Sequence, residues 1–213
     1  MYTLFLLSYL ALAQGNFIEV RQLVERALNF EPESKWGIAQ ARIIFGRLDW
    51  IKGENDQAAR QFEEALAISQ EIESAWNNSE CLNYLGRMAL SGGDAHLASS
   101  HFNECLRNLL KTLERYHIAQ PIEPLASLAL LQGDIERAAR LLGVANRWGP
   151  GFVYTLSPTE RAWREEEINE VRTALGESLF TERWEEGRNM PREQAIVYAL
   201  GSETDLKTTS SPS

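Results

Sequence analysis

His101 and Cys105 stand four residues apart, with His96 just upstream and Cys81 further back, and imidazole with thiolate is a donor set that binds zinc. The chain has only two cysteines, three histidines and no CxxC, so no ligand pair has a finger-like spacing and no metal is expected. Cys105 also fills a place taken by alanine in a repeated pattern described below, which is a packing place. Two carboxylate runs, Glu165-Glu166-Glu167 and Glu185-Glu186, hold enough acid for general acid–base work. Neighbouring residues on a helix point in different directions, however, and such runs are expected on a solvated face. There is no GxSxG and no GxxxxGK[ST]. The expectation is a chain without catalytic residues or cofactor, not an enzyme.

One constellation remains. Arg47 and Arg87 lie 40 residues apart, each with a candidate helper nearby in sequence, Trp50 and Asn83. Two guanidiniums side by side would clamp a carboxylate or phosphate through paired N–H donors, with the indole as an aromatic wall. The alternative is that each arginine pairs with a glutamate of its own array, such as Glu80 or Glu123.

Those side chains need elements to position them, and the bulk numbers bound what kind. The chain has 213 residues, 44% hydrophobic and 24% charged, an ordinary composition for a packed domain or short solenoid. Thirty acidic against 21 basic residues leave a net charge of −9, a field that repels phosphate, so direct nucleic-acid binding is not expected. Two thiols make no disulfide framework, which points to a cytoplasmic protein. Residues 3–13 (TLFLLSYLALA) are apolar and end in a signal-peptidase-like Ala-Leu-Ala, but no Lys or Arg precedes them. They are read as a packed helix. No run reaches the roughly 20 apolar residues of a membrane span, and no membrane partner is expected.

Aligning the chain on Gly15, Gly53, Gly93 and Gly133 reveals a repeat with intervals of 38, 40 and 40 residues. A polar residue follows each glycine: Asn16, Glu54, Asp94, Asp134. Five, nine and twelve residues after each glycine stand Val20/Val24/Ala27, Ala58/Phe62/Ala65, Ala98/Phe102/Cys105 and Ala138/Leu142/Ala145, all on one face of a helix. Eight and seven residues before it stand Leu7-Ser8, Phe45-Gly46, Leu85-Gly86 and Leu125-Ala126, a large residue followed by a small one. Each unit is therefore expected to be two helices joined at the glycine. Trp36 and Trp76, 40 residues apart, obey the repeat and are expected at unit boundaries.

This pattern resembles the tetratricopeptide repeat, with its L-G pair in the first helix and A-x3-F-x2-A in the second. The period is near 40 rather than about 34, and Arg42 and Asp49 replace aromatic positions in the second unit, so the helices should run about a turn longer. The resemblance implies an all-α right-handed superhelix of about four antiparallel helix pairs. The expected units are residues 1–31, 36–73, 76–115 and 117–147. It further implies that first helices line a concave face where partners bind. Positions ten, six and three before each glycine would lie there, together with those thirteen before. From these rows we take Phe5, Tyr9, Arg47, Trp50, Asn83, Arg87 and Glu123 as the candidate binding residues. Exchange of both arginines for alanine is expected to abolish binding with the fold intact.

The periodicity stops after Asn146. Trp148-Gly149-Pro150-Gly151 opens a loop (148–158), and Ser157-Pro158 with Glu160 makes a helix start. Helices to Leu175, over 178–187 and over 191–200 then form a small helical cap (159–200), and 201–213 is a polar tail expected to be disordered. The run Ala138-Ala-Arg-Leu-Leu-Gly143, Leu175-Gly176, Trp184-x2-Gly187 and the Ala195–Leu200 helix resemble the C-terminal end of bacterial regulators that join a signal-transducing P-loop ATPase to a tetratricopeptide-like sensor region, many with a LuxR-type DNA-binding domain. The resemblance implies a sensor module in signal transduction and transcription regulation. Its partner would be a protein, peptide or small effector on the concave face. A stand-alone scaffold, or a homodimer through the N-terminal helix pair, is the alternative.

Overall fold

A computed structural model describes residues 1–111, 119–148 and 156–201. The expected 201–213 tail (but for Gly201), most of the 148–158 loop and the boundary between the third and fourth units fall outside these residues. Within them the chain forms eleven α-helices and no strand. The first eight are α1 (Tyr2–Ala13), α2 (Phe17–Phe30), α3 (Lys35–Ile51), α4 (Asn55–Glu71), α5 (Ala75–Ser91), α6 (Ala95–Lys111), α7 (Ala119–Leu131) and α8 (Ile135–Trp148). Each of these eight packs on its neighbours in sequence, most extensively α3 on α4, α5 on α6 and α7 on α8.

The four aligned glycines explain the turns. Gly15, Gly53, Gly93 and Gly133 all have φ between +77° and +85°, a region that costs a side chain dearly and glycine nothing. The residue after each donates its N–H back to a carbonyl five residues earlier, at 2.9 Å in all four turns (Asn16 to Ala11, Glu54 to Asp49, Asp94 to Ala89, Asp134 to Ala129). That closes the first helix of each pair with a Schellman-type stop. Three of the four polar residues then cap the next helix, through Asn16, Asp94 and Asp134. Glu54, one methylene longer, makes no side-chain cap bond.

The small residues of the first helices make room for the second. A Cβ on Gly46 would come within 2.8 Å of the Phe62 ring, and one on Gly86 would run into the Phe102 ring. Both rings are fully buried. Ser8 and Ala126 hold the same place in the outer units, where the second helix offers the smaller Val24 and Leu142. The apolar N-terminal run is α1, with Phe5, Ser8, Ala11 and Leu12 buried against α2. Its outer residues Tyr2, Leu6, Leu7 and Leu10 are exposed. Among the described residues no helix is long and apolar enough to cross a membrane.

Three further helices follow: α9 (Pro158–Leu175), α10 (Glu177–Arg188) and α11 (Arg192–Leu200). α10 lies on α8, where Gly143 and Gly187 let the two backbones touch. α11 is tied down at its C-terminal end by Arg137, which donates to the carbonyls of Ala199 (3.1 Å) and Tyr198 (3.4 Å).

Candidate functional site

α9 begins where the local chemistry says it should. Ser157 accepts the Glu160 N–H at 3.2 Å, Glu160 accepts the Ser157 N–H at 2.7 Å, and Pro158 opens the first turn, a complete capping box. Glu160 is thereby held as a rigid carboxylate at the tip of a helix. That tip lies across the odd-numbered helices of the array. Arg161 donates to the Ala13 carbonyl at the end of α1 (3.0 Å), and Glu160 reaches Arg47 of α3 and Tyr84 of α5. Further along, Arg164 and Glu167 meet Glu123 and Ser127 of α7.

Arg47 is at the centre. It is 1% exposed and donates to Glu160 at 2.9 and 3.1 Å from one terminal nitrogen, with a longer bond of 3.3 Å from Nε. Its guanidinium lies over two tyrosine rings, 5.6 Å from the centroid of Tyr9 and 5.3 Å from that of Tyr84. The Tyr84 hydroxyl donates to Glu160 at 3.1 Å, and the Tyr84 ring stacks on Phe62 at 5.0 Å. Burial pushes the Glu160 carboxyl up, but the charge of Arg47 and the bonds from Arg47 and Ser157 outweigh it and hold the carboxyl below its ordinary value. Beside this pair a second polar group is buried: Tyr9 donates to both oxygens of Glu80 and accepts from Gln40. Burial raises Glu80 despite those bonds and the nearby Arg47 charge.

The candidate residues therefore divide. Trp50, Arg87 and Glu123 come together around a cavity of about 40 Å³ closed from the other side by Trp163, Arg164 and Glu167 of α9. Trp50 meets Trp163 with ring centroids 5.0 Å apart, and Glu123 bridges Arg164 (2.9 Å) and Arg87 (3.9 Å). Arg47 meets this cavity through Glu160, whereas Tyr9 and its partner Glu80 do not line it. Phe5 does not join them: it is 2% exposed and packs edge-on against Trp36 in the core. Asn83 is 1% exposed, and neither amide atom has a hydrogen-bond partner. Arg87 does meet Glu123, whereas the carboxylate bonded to Arg47 is the distant Glu160 rather than Glu80. The expectation that Arg47 can be exchanged with the fold intact fails on this geometry, because its loss strands a buried carboxylate.

Glu160, Trp163, Arg164 and Glu167 carry the other half of the site. Their spacing of i, i+3, i+4 and i+7 is a single helix stripe and stood in the sequence to be read. The adjacent Glu165 and Glu166 hid it: they are solvated as a charge run should be, while Glu167 is half-buried and accepts the Ser127 hydroxyl at 2.7 Å. Burial, opposed by that bond and by the Arg87 and Arg164 charges, pushes the Glu167 carboxyl up to about 7. The folded chain thus holds this proton more tightly than the unfolded one, so its contribution is full below about 4.5 and fades as pH rises to about 7. Glu167→Gln keeps an acceptor for Ser127 and is expected to remove one proton's worth of that slope. Urea midpoints measured from pH 4.5 to 7.5 check it, and parallel curves for variant and wild type would refute it.

A cavity of about 40 Å³ admits a few water molecules, far short of the roughly 300–1,000 Å³ of small-molecule sites. Between α9 and the Trp50, Arg87 and Glu123 side chains there is no room for a larger ligand. Cys105 is buried and donates to the Ser79 carbonyl at 3.2 Å, a packing role. Among the described residues no three His, Cys, Asp or Glu side chains converge to hold a metal. In comparisons with known proteins, no family model, no curated protein and no solved structure matches this chain.

Proposed function

We propose that this chain is a non-catalytic binding module, a tetratricopeptide-like array of four helix pairs in a right-handed superhelix. On this reading it is the sensor region of a bacterial signalling ATPase or transcription regulator, and its first-helix face binds a protein, peptide or small effector. One observation carries the reading. The face made by α1, α3, α5 and α7 already grips a helix through side chains in repeat register: Arg47, Arg87 and Ser127 all stand six residues before their glycine, and all meet or line the space beside α9. A surface that holds one helix by matched charges is built for recognition more than for chemistry.

The test is a thermal-shift screen of metabolites and peptides, followed by titration calorimetry of each hit. Arg87→Ala removes a half-buried side chain and is expected to weaken a true concave-face ligand about tenfold, or about 1.4 kcal/mol, at unchanged melting temperature. If every hit binds the variant as tightly as the wild type, the ligand face lies elsewhere.

The alternative, a scaffold that self-associates, has its own observation in the exposed α1 residues Tyr2, Leu6, Leu7 and Leu10, an apolar stripe without a single charge on its helix. Light scattering over a concentration series decides it: a dimer lost in a Leu6→Glu, Leu10→Glu variant supports this reading, and a monomer throughout removes it.

A further inference from the structure

We infer that the first-helix face is a groove for an amphipathic helix bearing Glu, Trp, Arg and Glu at positions i, i+3, i+4 and i+7, and that α9 is a tethered copy which such a helix on another polypeptide displaces. The inference rests on the binding-module reading above and names its partner class.

The argument begins with how differently the two ends of α9 are held. Its C-terminal half is anchored by apolar side chains, with Val171 fully buried and Ile168 and Leu175 packed in the same core as α8. Its N-terminal half has no buried apolar residue at all. From Pro158 to Glu167 the apolar contacts are those of the exposed Pro158 ring beside Gly15 and of Trp163, 40% exposed, on Trp50, while the polar ones join Glu160 to Arg47 and Tyr84, Arg161 to the Ala13 carbonyl, Arg164 to Glu123 and Glu167 to Ser127. Apolar burial is the dominant force that fixes a helix in a core, and this segment lacks it. What it has instead is a complementary code of charge, negative on positive at Arg47 and positive on negative at Glu123, which sets register and partner choice more than strength.

The fit is also incomplete. One terminal nitrogen of Arg164, on α9 itself, is buried without a hydrogen-bond partner. Buried polar groups are nearly always satisfied, so a helix that pairs every donor at this position binds better than α9 does. α9 competes by its tether rather than by its contacts, since a linked segment acts at an effective concentration in the millimolar range.

The experiment uses the full chain and a fluorescent peptide of residues 156–176. Two chains have weakened anchors and an intact groove: Trp163→Ala alone, and Glu160→Gln with Trp163→Ala. The peptide is expected to bind the double variant at least about tenfold more tightly than the wild type, where tethered α9 competes, and to raise its melting temperature. A peptide carrying the same two substitutions should not bind. Equal affinity for wild-type and variant chains overturns the inference. So does a variant pair that no longer melts cooperatively, because an exchangeable helix must be able to leave a folded array. If the peptide fails while a screened effector still binds and depends on Arg87, the binding-module reading survives and the helix partner alone falls.

Discussion

Replacing Arg47 with methionine lowers the free energy of unfolding by about 3–5 kcal/mol, the cost of leaving a buried carboxylate without its cation. Both members of the pair are out of solvent, with side-chain exposures of 2% and 5%, so water does not screen the charge that remains. Against a total stability of about 5–15 kcal/mol for a typical domain, this is the largest loss expected from any single charged residue here. The second half of the prediction separates charge from shape. Adding Glu160→Gln to Arg47→Met recovers most of the loss, because the glutamine carbonyl oxygen still accepts the Ser157 N–H in the capping box while its amide N–H donates to the Tyr84 hydroxyl oxygen. Urea denaturation gives both numbers from the midpoint at constant slope. A loss under about 1 kcal/mol for Arg47→Met would mean that lifting α9 locally, which brings the Glu160 carboxylate to water, costs no more than that.

The pH dependence of the pair has a definite sign. Glu160 is held below its ordinary value when folded, so the stability it confers is present above about 4.5 and drains away as pH falls through the lowered folded value. Glu167 works the other way between about 4.5 and 7. In the Arg47→Met chain the acid-side loss should disappear while the Glu167 slope persists, which distinguishes the two carboxylates without any structural probe.

Much of this arrangement was written locally. A glycine followed by Asn or Asp states a turn of left-handed backbone and a cap within a few residues, and Gly15, Gly93 and Gly133 do both. Ser157-Pro158 with Glu160 specifies the start of α9 just as locally. The all-helical chain with neighbour-on-neighbour packing follows from such signals. What periodicity cannot state is that α9 returns across the array. Glu160 meets Arg47 over 113 residues of sequence, and nothing near either residue encodes the other. The rows six and ten before each glycine were enough to find Arg47, Arg87 and Glu123 as residues facing something, but not to say that the something is this chain's own helix. Phe5 was placed in the same rows and is core instead, because Trp36 of α3 covers it. Register gives direction along a helix, while occupancy of that direction is a tertiary fact.

The same division holds for the C-terminal helices, where two glycines carry a prediction with an effect comparable to that of Arg47. Gly187→Ala is expected to cost about 3 kcal/mol or more, at the upper end of overpacking penalties. A Cβ on Gly187 would fall inside the carbonyl group of Arg140, and one on Gly143 would fall on the Trp184 carbonyl and lie 3.0 Å from the Arg188 nitrogen. Both obstacles are backbone, so no rotamer change can relieve them, unlike the Phe62 ring opposite Gly46. Helix propensity pulls the other way by about 1 kcal/mol, since alanine is the better helix former, which makes the sign of the result informative. The ion pairs bridging the same helices, Arg183 with Glu136 and Arg140 with Glu186, join half-buried arginines to exposed carboxylates and cannot compensate for a lost crossing. If one close approach of α8 and α10 is the cause, Gly143→Ala together with Gly187→Ala costs clearly less than the two single losses added, because the second substitution breaks a contact already broken. Strict additivity, or a Gly187→Ala chain as stable as the wild type, would mean that the helices do not touch there.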